Sequence, residues 1–216
     1  DVYKRQTSLW DLTDEVWKGK TAFPSPITSS PGRSFMVATI DYFENDDDEN
    51  TNAFDWWKAM AENDAIFTSG WTEAYETHYT GGYGEYTTGY IGDAHITVSY
   101  CQSPGVEAYY GGNYTHSTSL VLPKATIQQV EYTGIVNGAA NIIAAELFIE
   151  YLLSPEINAQ MPENNLMYPV LEGYELPETD GYRYHSDTPA ENADIDIERI
   201  NEEMQDWLEE WKTATD

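Results

Sequence analysis

Two stretches of this chain pass from apolar or β-branched residues, through Ser-Pro-Gly, into a helical pattern. They are "TAFPSPITSSPGRSF" (21–35) and "AHITVSYCQSPG" (94–105). A strand that breaks at such a turn and hands the chain to a helix is the βα step of an α/β domain. In the first, Ser30 reads as the N-cap and Pro31 as the first helical residue. The helix then carries Phe35, Met36, Ile40 and Phe43. The spacing predicts a second helix in "AFDWWKAMAEN", with Phe54, Trp57 and Met60 or Ala61 on one face. "AIFT" follows as a short strand, and "GWTEAYETHY" opens a third helix at a glycine. Upstream, "LWDLTDEVWKGK" predicts a short helical turn and a basic turn at Lys18–Lys20.

The second half alternates less clearly. "AHITVSY" reads as a strand and "TIQQVEYTGIV" as one or two more. "NIIAAELFIEYLLSPE" is apolar around most of its circumference, which predicts a well-buried helix. "PENNLMYPV" is a loop, residues 171–190 are turn-rich, and a last amphipathic helix covers about 194–212. Ile197, Ile200, Met204, Trp207, Leu208 and Trp211 recur there at spacings of three and four. "ENDDDEN" (44–50) is a solvated charge run, and "TGGYGEYTTGYIGD" is an inserted Gly/Tyr loop. No repeat at solenoid spacing is present.

Composition limits the partners. The chain has 216 residues, enough for one sizeable domain or two modest lobes. With 38 acidic residues against 10 basic, the net charge of −28 argues against nucleic acid and anionic membranes. The plainer reading of this acidity is a solvated surface adapted to salt; the sharper one is a field that draws in cations. Cys101 is the single cysteine, so no intrachain disulfide can form. The apolar run from Ile142 to Leu153 is too short and too polar to span a bilayer. "DVYKRQ" (1–6) resembles a translated adapter read-through and is expected to be foreign, with the chain truncated at its N-terminus.

The four histidines, His78, His95, His116 and His185, form no metal-ligand spacing with one another or with Cys101. Walker, dinucleotide and nucleophile-elbow motifs are absent. Carboxylates are so numerous that each reads as surface by default. Four stretches remain as site candidates. "TSSPG" gathers two hydroxyls and the free N–H groups of a helix start, which suits an anion, though taken alone an ordinary serine cap is the plainer reading. Trp71 in "SGWTEAY" follows a strand end, where α/β sheets hold ligands, or else is a core tryptophan. "SYCQSPG" repeats the strand-to-helix chemistry, as a second cleft wall or as an unrelated cap. Tyr168 in "NNLMYPV" lines a cleft or closes the core.

Taken in order, "LWDLTDEVWKGK", "ITSSPG", "SGWTEAY", "VSYCQSP", "QQVEYTGIVNGA", "FIEYLLSPE" and "NNLMYPV" resemble the thiamine-binding proteins of bacterial and archaeal ABC importers. The resemblance covers roughly residues 8–170. It implies an α/β, type II periplasmic-binding-protein fold, with one complete lobe at 7–126 and a returning part of the other at 127–190. The C-terminal amphipathic helix occupies 191–216. It also implies a binding protein rather than an enzyme, without a cofactor and located in the periplasm or at the cell surface. Thiamine or its phosphates would be the ligand and an ABC permease the partner.

Carried over residue by residue, the family's Ser/Thr turn falls on Ser29 and Ser30, and its Gly-Trp tryptophan on Trp71. Its "SYTTSP" segment falls on Tyr100, Cys101, Gln102 and Ser103. Cys101 and Gln102 stand in place of two hydroxyl residues, which leaves backbone contacts there. Leu166 replaces an aromatic wall and Tyr168 remains. Trp71 and Tyr100 would stack on the rings, and the Ser29–Ser30 turn would receive the tail or its phosphate. Two rivals follow from other residues. The adjacent Tyr109 and Tyr110 match the phenolate pair of iron-binding relatives. An aromatic-rich acidic chain also fits a secreted carbohydrate-active enzyme, although no carboxylate pair stands out.

Overall fold

The computed structural model describes residues 7–46, 52–79, 81, 92–112, 115–178 and 181–216. The suspected foreign residues 1–6, residues 47–50 of the charge run and most of the Gly/Tyr loop lie outside these. Three parallel strands form the sheet: β1 (Thr21–Pro24), β2 (Ile66–Thr68) and β3 (Ile96–Thr97), in the order β2-β1-β3. Between β1 and β2 the chain forms α1 (Ser30–Glu44) and α2 (Ala53–Glu62). A π-helical turn at Glu73–His78 follows β2, and α3 (Ser103–Tyr110) follows β3. Because the strands are parallel, all three carboxyl ends open on one edge of the sheet.

Both Ser-Pro-Gly turns begin helices in the same register: Ser is the first helical residue, Pro the second and Gly the third. The missing N–H of proline costs nothing there, because a helix's first N–H groups have no intrahelical partner. The cap of α1 is Ser29, not Ser30: Ser29 Oγ accepts from the Gly32 N–H at 3.4 Å, while Ser30 is already helical and exposed. The extended backbone of Ser29 aims its hydroxyl back into the first turn. Gly32 is required by close approach, since a Cβ there would sit 2.1 Å from the Pro24 carbonyl oxygen.

Phe23 on the fully buried β1 is the hub of an aromatic core. Trp56 and Trp57 meet it edge-on at 5.8 and 5.2 Å, and Phe35 stacks on it at 5.9 Å. Both indole N–H groups are satisfied: Trp56 donates to the Leu9 carbonyl at 2.8 Å and Trp57 to Thr39 Oγ1 at 3.0 Å. Trp56, absent from the predicted stripe, is fully buried because the turn at Leu9–Thr13 and α1 cover a second side of α2. The last helix, α8 (Ile197–Thr215), lies on α2 and sends Trp211 against Trp57 and Phe67 at 6.0 and 5.5 Å. Ile197, at its start, is exposed instead.

Two expectations for the second half are corrected. Residues 127–136 form no strand; Tyr132 and Val136 stand 88% and 78% exposed. The sheet ends at β3, and 127–136 meets no strand edge to pair with among the described residues. The apolar segment does form a helix, α4 (Ile142–Leu152), but it buries none of its residues, and Ile143 is 71% exposed. Its packing is against the short α5 (Pro155–Asn158). Apolarity states what a helix surface requires, not what the chain supplies. The loop "PENNLMYPV" opens with a short helix, α6 (Met161–Asn164), and the turn-rich segment holds α7 (Tyr182–His185), which packs on α3.

Candidate functional site

At the carboxyl edge of the sheet the three strand-end loops touch. Thr28 Oγ1, after β1, donates to the Ser69 carbonyl after β2 at 2.7 Å. The indole of Trp71, also after β2, donates to Ser99 Oγ after β3 at 3.2 Å. Ser99 shares a 2.7 Å hydrogen bond with Ser103 Oγ, which also accepts from the Tyr100 N–H at 3.3 Å. This chain of hydroxyls fixes Trp71 and Tyr100 relative to each other. Their ring centroids are 5.9 Å apart and tilted by 57°. Tyr75, one helical turn after Trp71, stacks on it at 4.8 Å and 13°.

These rings enclose a cavity of about 210 Å³, completed by Gln102, Glu107 and the loop at 165–167. A neighbouring cavity of about 340 Å³ lies between β3 and residues 116–126. The two share Tyr75, Tyr100, Ser103 and Glu107 as a common wall. Together they reach the range of small-molecule sites, roughly 300–1,000 Å³. The first cavity is mainly apolar, walled by the rings of Trp71, Tyr75, Tyr100 and Tyr110 with a few polar groups between them, which suits a flat heteroaromatic molecule.

The predicted residues divide. Trp71, Tyr100, Gln102 and Ser103 line the first cavity together. The Gln102 side chain is committed to the wall: its amide donates to the Leu166 carbonyl at 2.9 Å, holding a backbone with φ of +58°. Cys101 faces the second cavity, and its carbonyl accepts from Ser119 Oγ at 2.8 Å. Burial pushes the Cys101 thiol above its ordinary value, and the Asp187 charge adds to this. The Tyr100 phenol is also raised, first by burial and then by Glu131. Ser29 and Ser30 lie outside both linings; the Ser29 hydroxyl is occupied by the cap. Tyr168 likewise lies outside, donating to the Asp187 carbonyl at 2.9 Å.

Tyr75, Glu107 and Met167 belong to the cavity although no motif singled them out. A signal existed for two: Tyr75 is four residues after Trp71, and Glu107 four after Ser103, so each falls on the same helical face. Of the tyrosine pair, Tyr110 faces the cavity while Tyr109 packs edge-on against the buried Tyr182 at 6.3 Å. The Tyr182 phenol is pushed up to about 12, chiefly by burial. Among the described residues, no group of three or more His, Cys, Asp or Glu is placed to hold a metal ion. No described helix is long and apolar enough to cross a membrane.

A parallel sheet whose carboxyl edge carries an aromatic-walled cavity has the ligand-site placement of open α/β proteins. Residues 5–212 match the family described as bacterial extracellular solute-binding protein, and the chain belongs to that family. Its fold resembles that of a solved periplasmic thiamin binding protein, with a TM-score of 0.73, at 22% identity over 97% of this chain and 59% of that one. Curated relatives are the thiamine-binding periplasmic proteins of Salmonella typhimurium, 24% identical, and Escherichia coli, 23% identical. Each match covers 96% of this chain and 57% of the relative. The protein of the same name from Haemophilus influenzae is 23% identical over 89% of this chain. The chain thus spans somewhat over half the length of the relatives it matches.

Proposed function

We propose that this chain is part of the solute-binding component of an ABC importer and takes thiamine or a thiamine phosphate at the carboxyl edge of its sheet. The observation that carries this reading is the ring assembly of Trp71, Tyr75 and Tyr100, fixed by the Ser99–Ser103 hydroxyls. A thiamine ring lying against such rings gains dispersion, and its positive thiazolium gains cation–π attraction of about 1 kcal/mol or more when desolvated. The relatives' names supply the solute and the periplasmic setting.

In this reading Gln102 and Ser103 shape the pocket, and the backbone around Cys101 borders it. Ser29 and Ser30 mark the β1 end at which the hydroxyethyl tail or phosphate is received, and Tyr168 flanks the 165–167 wall. Residues 7–126 act as one lobe, and 127–190 return toward another. The chain binds and releases its solute unchanged, and an ABC permease is the partner that accepts it.

The test is a titration of the intrinsic tryptophan fluorescence with thiamine, thiamine monophosphate and ferric ion. Saturable quenching by thiamine or its phosphate, reduced at least tenfold in affinity by Trp71→Ala, is the expected result. Saturation by ferric ion alone, with a phenolate-to-iron absorption band, would refute it.

A further inference from the structure

Glu107 is 4% exposed, yet it lines both cavities. Among the described residues, two hydroxyls aim at its carboxylate. Tyr75 Oη donates to Oε1, and Thr115 Oγ1 donates to Oε2 at 2.6 Å. Tyr75 is the ring stacked on Trp71, so the phenol that holds the carboxylate is also part of the aromatic wall. We infer that Glu107 is the counter-charge of the site, selecting a positively charged aromatic ligand over a neutral one of the same shape.

The physical case rests on position rather than on the chain's general acidity. Exposed carboxylates act through solvent, and salt screens them within about 8–10 Å. A carboxylate at the floor of an apolar, ring-lined cavity acts through low-dielectric material and is screened far less. Rings present their negative faces to the same ligand, so the two effects have the same sign. The Tyr75 and Thr115 hydroxyls hold the carboxylate in place, so it need not reorganise when a cation arrives.

This inference deepens the proposed thiamine reading but is tested apart from it. The 216-residue chain and its E107Q and T115V variants are titrated in high salt with thiamine and with benzyltrimethylammonium, a simple aromatic-bearing cation. The neutral hydroxymethyl-aminopyrimidine half of thiamine is the third probe. E107Q removes one of many negative charges, so the general field hardly changes. T115V removes one hydrogen bond to Glu107 but leaves its charge.

The expected result is a loss on the order of 10- to 100-fold for both cations in E107Q. T115V should stay within about threefold of the wild type, as should the pyrimidine in E107Q. Equal losses in E107Q and T115V, or equal losses for the cations and the neutral half, assign Glu107 a merely structural role and overturn the inference. Unchanged cation affinity in E107Q overturns it too, as does a wild-type chain that binds neither cation. If benzyltrimethylammonium binds in a Glu107-dependent way and thiamine does not, the counter-charge stands and the thiamine reading falls. Melting curves of the variants separate loss of fold from loss of binding.

Discussion

Replacing Gly32 by alanine probes the turn on which the β1 end of the site is built. The added Cβ would lie 2.1 Å from the Pro24 carbonyl oxygen, 2.8 Å from its carbon and 2.9 Å from the Ser25 carbonyl carbon. Ordinary contact begins at 3.4 Å, so the closest approach is more than an ångström short. All three obstacles are backbone of the segment that leaves the buried β1, and no rotamer change removes them. Overpacking of this kind costs about 1–3 kcal/mol, and rigid backbone puts it at the upper end. Alanine's better helix propensity returns up to about 1 kcal/mol. The net expectation is a loss of about 2 kcal/mol, which in a domain of this size lowers Tm by about 4–8 °C. Thermal unfolding followed by far-UV circular dichroism measures it. Gly134→Ala is the control, because a Cβ there meets nothing within 4 Å. A Gly32→Ala chain that melts at or above the wild-type temperature would show that the close approach of α1 to β1 is not a constraint.

Other consequences follow from single contacts. Gln102→Ala removes the amide that holds the Leu166 carbonyl; it should cost about 1 kcal/mol and speed proteolysis within 165–167, and an unchanged cleavage rate would exclude the latch. Burial and the Asp187 charge hold the Cys101 thiol protonated, so at mildly alkaline pH iodoacetamide should alkylate the native chain more slowly than the urea-unfolded chain. Equal rates would contradict the burial. Arg199 grips Glu44 with two hydrogen bonds at 2.8 and 2.7 Å and lowers its carboxyl below the ordinary value near 4.5. A lowered folded value adds stability that is present above the ordinary value and lost as pH falls through the lowered one. The Tm advantage of the wild type over Glu44→Gln should therefore shrink below about pH 4.5, and a difference that grows toward acid would reverse the sign.

Local chemistry alone determined the βα steps of this protein. A strand pattern and the Ser-Pro-Gly turn that follows it act within a few residues of one another, so their order in the chain is enough to place α1 and α3. The aromatic face of α2 and the amphipathic stripe of α8 were legible for the same reason, since a helical period needs no partner to be read. Four decisions were made elsewhere. Ser29 rather than Ser30 became the cap because its extended backbone turns the hydroxyl inward. Trp56 was buried because α2 is covered on two sides. Segment 127–136 stayed out of the sheet and α4 stayed uncovered, because pairing and burial depend on a neighbour that sequence pattern does not supply. Glu107 shows the limit most clearly. Among 38 acidic residues it read as surface, and only the meeting of β3, α3 and the turn after β2 placed that one carboxylate at the floor of an aromatic cavity. Charge is a property of composition, but what a charge does depends on the dielectric around it, and only the tertiary structure decides that.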